Sequence, residues 1–204
     1  MSRRHQAFRR LCAALVLCMS AASCAFITSA VPRTPSTSAQ ALAIDLAGNP
    51  LDPLKASPGK VVILIFVRTD CPISNRYAPT IQKLSAEYAG KVSFWLVYPA
   101  RAESPEMIRK HEHDFGYTLP ALRDVQHSLV KLSRVSITPE AAVFDANRQL
   151  IYHGRIDDLY QDFGRARPAP TTHELDDAIR AATAGKVPAA DTAPAVGCYI
   201  SDLE

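Results

Sequence analysis

The chain has 204 residues, with 23 Lys and Arg against 20 Asp and Glu, and a formal net charge of +3. Four Arg lie among residues 1–30, which contain no acid, so the remainder carries 19 basic and 20 acidic side chains. A nearly neutral chain without a basic cluster excludes nucleic acid as an expected partner, and about 170 residues suffice for one domain with a full core.

The N-terminus predicts an export signal. Its four Arg precede a short apolar stretch, residues 11–19, which is followed by small residues. That stretch is too short to span a bilayer comfortably, so we predict a cleaved signal peptide over residues 1–30. An imperfect lipobox ending at Cys24 offers a second route, in which a lipid on Cys24 is the membrane anchor. Both routes place the protein in the periplasm or at the cell surface.

Residues 31–40, rich in Pro, Ser and Thr, predict a linker to a domain over residues 41–184. Within it, residues 41–46 and 51–54 predict a short pair of strands. The continuous apolar run 61–67 predicts a central strand that is buried on both faces.

Helices and strands then alternate. Apolar residues at spacings of three and four predict a helix over 73–88, interrupted at Pro79, and residues 92–98 predict a second buried strand. The Ser-Pro pair at 104–105 predicts the N-cap of a further helix that ends at Gly116.

The second half of the domain closes the predicted fold. Its predicted elements are a strand over 119–123, a helix over 127–135, a hairpin of 141–144 with 149–153, and a last helix capped by Thr171 or Thr172. Residues 185–204 form a Pro- and Ala-rich tail, which we expect to be flexible. This order predicts an α/β fold with a central mixed sheet between two helical layers.

Cys71 lies where the predicted central strand gives way to a helix, in the segment Cys71-Pro72-Ile73-Ser74. A sulfur at that point is close to free backbone N–H groups and to the positive end of the helix dipole, which favour thiolate. Ser74 occupies the position that would complete a Cys-x-x-Cys motif. The one downstream cysteine that could partner Cys71 is therefore Cys198.

These residues resemble the thioredoxin fold, in particular its exported redoxin branch, which is TlpA-like and related to peroxiredoxins. Besides Cys71, the resemblance rests on Pro79, eight residues later, and on Thr138-Pro139 before a strand. It implies a three-layer α/β/α domain. It also implies that Pro139 is the family's cis-proline, which with Thr138 lies against the reactive sulfur and takes part in binding substrate peptides.

The sequence also departs from the family pattern. Asp70 replaces the Trp that precedes the first thioredoxin Cys and should oppose thiolate formation, and Ile65 replaces the family's buried acid. Arg68 stands where peroxiredoxins carry the Thr that binds peroxide. We expect Arg68 and Arg76 to offset Asp70, and Ser74 to hydrogen-bond the Cys71 thiolate.

The resemblance implies a thiol-disulfide oxidoreductase that requires no bound cofactor. In this hypothesis Cys71 attacks a protein disulfide or is oxidised by a peroxide, Cys198 resolves the product, and an external thiol reductant resets the pair. Other readings stay open. In one, Cys71 is an inert buried thiol. In others, Cys198 forms a permanent structural bridge to Cys71 or pairs with another chain. The functional alternative is a peroxiredoxin-like thiol peroxidase.

A further alternative is a non-catalytic copper-binding or copper-delivery module of the Sco type. Those proteins hold copper with a Cys-x-x-x-Cys loop and a distant His. Because position 75 is Asn here, such a site would need Cys71, Cys198 and either His153 or His173.

Two other features give structural expectations. His111 and His113 are two residues apart on a predicted helix and face different directions, so we expect both to be solvated. The charge-dense segment 154–168 is expected to be an ion-paired loop that packs the tail onto the domain. Its alternative role is to bind substrate or to present Cys198 to Cys71.

Overall fold

Six consecutive apolar residues, Val61–Phe66, form the central strand, and each of them is buried. The computed structural model describes residues 42–189, 194–201 and 203, all within one unit, Ala39–Glu204. The predicted signal peptide, the linker 31–40 and Cys24 lie outside the described residues.

The secondary structure alternates through most of the chain. The strands are β1 (Ala43–Asp45), β2 (Pro50–Leu51), β3 (Val61–Phe66), β4 (Val92–Tyr98), β5 (Ala121–Arg123), β6 (Ile137–Thr138), β7 (Glu140–Phe144), β8 (Leu150–Gly154), β9 (Tyr160–Asp162), β10 (Arg165–Ala166) and β11 (Cys198–Tyr199). The helices are α1 (Pro53–Ala56), α2 (Pro72–Arg76), α3 (Ala78–Glu87), α4 (Pro105–Phe115), α5 (Ser128–Ser133) and α6 (Glu174–Thr183). None of these helices is long and apolar enough to cross a membrane.

Seven strands form one mixed sheet in the order β2-β1-β5-β4-β3-β7-β8. The pairs β3–β4 and β4–β5 are parallel, and the other pairs in this sheet are antiparallel. Two small antiparallel pairs lie outside it, β9 with β10 and β6 with β11. The second of these joins the C-terminal tail to the domain.

The core lies on both faces of the sheet because successive side chains of a strand point to opposite sides. Ile63 and Ile65 belong to the buried cluster that includes residues of α3 and α6. Leu64 and Phe66 belong to a second cluster with residues of α5. This arrangement confirms the predicted central mixed sheet between helical layers.

Two helix boundaries follow the predicted signals. The Ser104 hydroxyl accepts a hydrogen bond from the Met107 N–H at 3.3 Å, and α4 ends at Gly116 with a φ of 69° in the left-handed region. The long helix predicted after Cys71 divides at Tyr77, shortly before Pro79. This break separates the five-residue α2, which has Cys71 as its N-cap, from α3.

Two predicted boundaries were wrong. The second strand of the predicted N-terminal pair is β2, which pairs with β1. It does not extend to residue 54, because the Asp52 carboxylate caps the short helix α1 by accepting from Leu54 N–H and Lys55 N–H. Neither Thr171 nor Thr172 caps α6, which begins after His173. Both threonines instead donate backbone N–H groups to the Asp158 carboxylate, at 2.5 and 3.0 Å.

The charge-dense segment contains the β9–β10 hairpin and is ion-paired. Asp158 pairs with Arg167 at 3.1 Å, and Arg155 pairs with Glu174 at the start of α6. The buried Asp157 carboxylate accepts a 2.6 Å hydrogen bond from the Tyr77 hydroxyl. These contacts anchor the segment to the start of α6 and to the α2–α3 junction.

Candidate functional site

Cys71 is the N-cap of α2 and has no exposed surface. Its Sγ accepts a hydrogen bond from the Ser74 N–H at 3.5 Å, and its thiol donates to the Thr138 carbonyl at 3.3 Å. A sulfur at an N-cap receives the free N–H groups of the first helical turn, which is the arrangement that favours thiolate.

The second side of the site is the segment between β6 and β7. The Thr138–Pro139 peptide bond is cis, and the Thr138 side chain is buried. The Glu140 carboxylate accepts from the backbone N–H groups of Ser136 and Ile137, at 3.0 and 3.3 Å. These bonds fix the backbone that presents the Thr138 carbonyl to the Cys71 sulfur.

The tail is docked as a strand at this point. Cys198 lies opposite Thr138 in the antiparallel pair of β11 with β6. The Thr138 hydroxyl donates to the Cys198 carbonyl at 3.3 Å, and the Ile200 N–H donates to the Ser136 carbonyl at 2.9 Å. Ile200 is buried in the second core cluster. The expectation of a flexible tail is therefore wrong for this segment, because a buried side chain and backbone pairing hold it.

Gly197 allows this docking. A Cβ at residue 197 would lie 2.0 Å from the Thr138 carbonyl oxygen and 2.9 Å from Ile137 Cγ2. The backbone of Gly197 has no positive φ, so the requirement for glycine is the close approach of two backbones rather than an unusual conformation.

The thiols of Cys71 and Cys198 are free and adjacent. Burial raises the pKa of Cys71, but the neighbouring Cys198 and Ser74 side chains and the backbone N–H groups of Ser74 and Cys198 lower it by more. The pKa of Cys71 therefore lies below its ordinary value of 9.0. Of the expected Ser74 contacts, the hydrogen bond to the sulfur comes from the backbone N–H, whereas Ser74 Oγ is buried without a hydrogen-bond partner. Burial, the hydrogen bond to Cys71 and repulsion from its charge raise the pKa of Cys198. The arrangement favours a thiolate on Cys71 beside a protonated Cys198.

The two thiols are therefore expected to titrate in a fixed order. A lowered pKa keeps a thiol ionised to lower pH, so the midpoint of Cys71 alkylation should lie below pH 9.0 and that of Cys198 above it. Alkylation rates across pH, resolved by peptide mass spectrometry, measure both midpoints in the reduced chain. Burial of a thiol lowers its alkylation rate by the same factor at every pH, whereas the pH midpoint of that rate reports the ionisation of the thiol. A Cys71 midpoint at or above that of Cys198 would contradict the order.

Of the two arginines expected to offset Asp70, the structure brings only Arg68 to it. Arg68 Nη2 lies 2.9 Å from Asp70 Oδ2, and Nη1 donates to the Tyr199 carbonyl at 3.4 Å. Arg68 thus connects the turn before Cys71, which lies between β3 and α2, to the docked tail. Arg76 is exposed and lines an open cleft of about 660 Å³ beside α2.

Three side chains that were not predicted to lie at the site support the turn before Cys71. Glu103 Oε1 accepts from the Thr69 N–H at 2.6 Å, and Asn75 Nδ2 donates to the Thr69 carbonyl at 3.2 Å. His111 Nε2 lies 2.8 Å from Asn75 Oδ1. His111 is buried among aromatic rings, so its predicted solvation was wrong, whereas His113 is exposed.

The described residues contain no group of three or more His, Cys, Asp or Glu side chains that could hold a metal ion. His153 Nδ1 lies 3.6 Å from the Glu140 carboxylate, and the exposed His173 lines a cleft between α3 and α6. The structure thus does not assemble the copper ligands that the sequence left open, which were Cys71, Cys198 and one of these histidines.

No protein-family model and no curated protein matches the chain. Among solved structures, it is similar to an uncharacterized conserved protein from Geobacillus kaustophilus, with 23% identity, a TM-score of 0.68, and coverage of 79% of this chain and 89% of that one. It is similar to a hypothetical protein from Sinorhizobium meliloti, with 25% identity, a TM-score of 0.65, and coverage of 78% and 88%.

A third structure is a secreted Mycobacterium tuberculosis disulfide oxidoreductase homologous to E. coli DsbE, with 20% identity, a TM-score of 0.50, and coverage of 72% of this chain and 96% of that one. The chain has a thioredoxin-like fold. In this thioredoxin-like domain, Cys71 lies between β3 and α2, and the docked tail adds a second sulfur beside it.

Proposed function

We propose that the chain is an exported thiol-disulfide oxidoreductase in which Cys71 is the nucleophile and Cys198 the resolving thiol. The observation that carries this proposal is the pairing of β11 with β6, which places Cys198 opposite Thr138 and beside the Cys71 sulfur. The similar secreted protein from M. tuberculosis is described as a disulfide oxidoreductase, which supports the same class of reaction.

The first step is attack by the Cys71 thiolate on a disulfide of a substrate protein. The Cys71 sulfur forms a bond to one substrate sulfur, the substrate disulfide breaks, and the second substrate sulfur leaves as a thiolate. The Ser74 N–H stabilises the attacking thiolate. Arg68 neutralises Asp70, whose charge would otherwise oppose ionisation next to it.

The second step is attack by Cys198 on the mixed disulfide. After losing its proton to solvent, the Cys198 sulfur bonds to Cys71, and the first substrate sulfur leaves as a thiolate. The substrate is then reduced by two electrons and the chain holds a Cys71–Cys198 disulfide. An external thiol reductant returns the pair to the dithiol, and no bound cofactor is needed.

The remaining assignments concern substrate and location. Thr138 and Pro139 form the backbone against which a substrate segment would lie during attack, because they border the Cys71 sulfur. The proposed partners are protein thiols and disulfides outside the cytoplasm. Export rests on the signal sequence at residues 1–30, and attachment to a membrane would rest on a lipid at Cys24.

The proposal is tested by the reduction potential of the Cys71–Cys198 disulfide. We expect glutathione disulfide to oxidise the reduced chain to this disulfide, identified by peptide mapping, with a potential above about −300 mV, as in working redox pairs. A lower potential would indicate a structural bond. Failure of the bond to form would contradict the role of Cys198, and much faster oxidation by hydrogen peroxide would favour the peroxidase alternative.

A further inference from the structure

Thr69 lies two residues before Cys71, in the turn between β3 and α2. Both peptide groups of Thr69 are held by side chains from outside the turn. Its N–H donates to Glu103 Oε1 at 2.6 Å, and its carbonyl accepts from Asn75 Nδ2 at 3.2 Å. Side chains thus satisfy backbone groups that no sheet or helix ladder reaches at this point.

The orientation of Asn75 is fixed in turn by buried groups. Because a carbonyl only accepts, the Asn75 amide nitrogen must face Thr69, which leaves Asn75 Oδ1 to accept from His111 Nε2–H at 2.8 Å. His111 Nδ1 is then unprotonated and accepts from the Tyr98 hydroxyl at 2.9 Å. Burial lowers the pKa of His111, which agrees with this neutral tautomer, while Asp114 raises it less.

Glu103 is an unusual neighbour for a thiolate site. It is 4% exposed, and its Oε2 is buried without a hydrogen-bond partner. Burial raises the pKa of Glu103, the bonds from Thr69 lower it, and the charges of Asp70 and Arg68 act in opposite directions. A buried carboxyl is costly unless it is well bonded, and Glu103 Oε1 accepts its hydrogen bond from the Thr69 N–H in the turn before Cys71.

These contacts bracket Cys71 in the chain. Thr69 precedes it by two residues, and Asn75 follows it by four in the same short helix as Ser74. The bond between Asn75 and Thr69 therefore closes a ring of backbone around Cys71 and ties the first turn of α2 to the preceding loop. The distance between the Cys71 sulfur and the Ser74 N–H depends on that closure.

We propose that Glu103, Asn75 and His111 are positioning residues that hold the Thr69 turn and so keep the Cys71 sulfur on its hydrogen-bond donors. This inference rests on the proposed function only in assigning Cys71 as the nucleophile. The three residues act through the backbone of Thr69, not on the substrate.

The test compares the pH midpoint of Cys71 alkylation in the reduced full-length chain and in Asn75→Leu and Glu103→Leu variants. We expect the thiolate fraction of Cys71 at neutral pH to fall about tenfold in each, because one weakened hydrogen bond to a thiolate has about that effect. Glu103→Gln should keep the wild-type fraction or exceed it, because Gln retains an oxygen for the Thr69 N–H and removes a negative charge.

Gln82→Leu is the matched control, since Gln82 Nε2 donates to the Phe115 carbonyl at 2.9 Å away from the turn. Looser packing alone would change the plateau rate of Cys71 alkylation but would leave its pH midpoint unchanged. Unchanged midpoints in the Leu variants, or an equal change in Gln82→Leu, would overturn the proposal. Should Asn75→Leu not fold, Asn75→Ser removes the same bonds with less bulk. A chain that never forms the Cys71–Cys198 disulfide but shows these shifts would contradict only the proposed function.

Discussion

A Cys198→Ser variant is expected to stop at the mixed disulfide when it reacts with glutathione disulfide. Cys71 still attacks, because the Ser74 N–H remains hydrogen-bonded to its sulfur at the N-terminus of α2. The serine hydroxyl at residue 198 cannot displace glutathione, so one glutathionyl group should persist on the Cys71 peptide. The wild-type chain should instead release both glutathione molecules and hold the Cys71–Cys198 disulfide. Peptide mapping after acid quenching separates the two products.

The Cys71→Ser variant is the counterpart to this experiment. Burial still raises the pKa of Cys198 once Cys71 is replaced, so glutathionylation of Cys198 in that variant should be slower than that of Cys71 in Cys198→Ser. Faster reaction of Cys198 than of Cys71 would reverse the assigned roles. Equal and slow reaction of both thiols would favour the inert-thiol alternative.

Gly197→Ala is expected to slow closure of the Cys71–Cys198 disulfide by about ten- to a hundredfold, because overpacking of this kind costs about 1–3 kcal/mol. The added methyl would lie 2.0 Å from the Thr138 carbonyl oxygen, so β11 could not keep its register with β6. The first step should be spared or accelerated, since displacement of the tail uncovers Cys71. Quenched-flow sampling of the mixed and internal disulfides measures the two steps separately.

Val187→Ala provides the control for this variant. It is also a change in the C-terminal tail, at a side chain that is 78% exposed, and should leave both steps unaltered. If the Gly197→Ala variant formed the Cys71–Cys198 disulfide at the wild-type rate, Cys198 would reach Cys71 without the β11 pairing.

Much of the fold follows from local sequence signals. The apolar run after residue 60 predicts the central strand, and Ser104 with Gly116 marks both ends of α4. The failures have specific causes. Asp52 outweighs the strand tendency of the residues after it by capping α1, and the threonines before α6 bind Asp158 instead of the helix N–H groups. Competition between caps and distant partners is not visible in a local window.

The residues of the candidate site also fall into two groups, those that the sequence indicated and those that it did not. Cys71, Pro139 and Cys198 could be selected from the sequence because residue type and position carry their chemistry. Glu103 and His111 could not, because Glu103 contacts Thr69 and His111 contacts Asn75, which are 34 and 36 positions away in the chain. A polar residue within an apolar helical stripe, as His111 is in α4, was the one available signal for a buried network.

The complete burial of Cys71 has a kinetic consequence. In the proposed reaction, a folded substrate cannot reach the sulfur while β11 is docked, so each turnover would begin with the release of a strand that has two register pairs with β6. So short a strand opens at far lower free energy than the domain unfolds. The frequency of this opening therefore sets a ceiling on the reaction with proteins, and re-docking of the same strand delivers the sulfur that ends the cycle. The strand that must open to admit a substrate is therefore also the strand that carries the second reacting sulfur, Cys198.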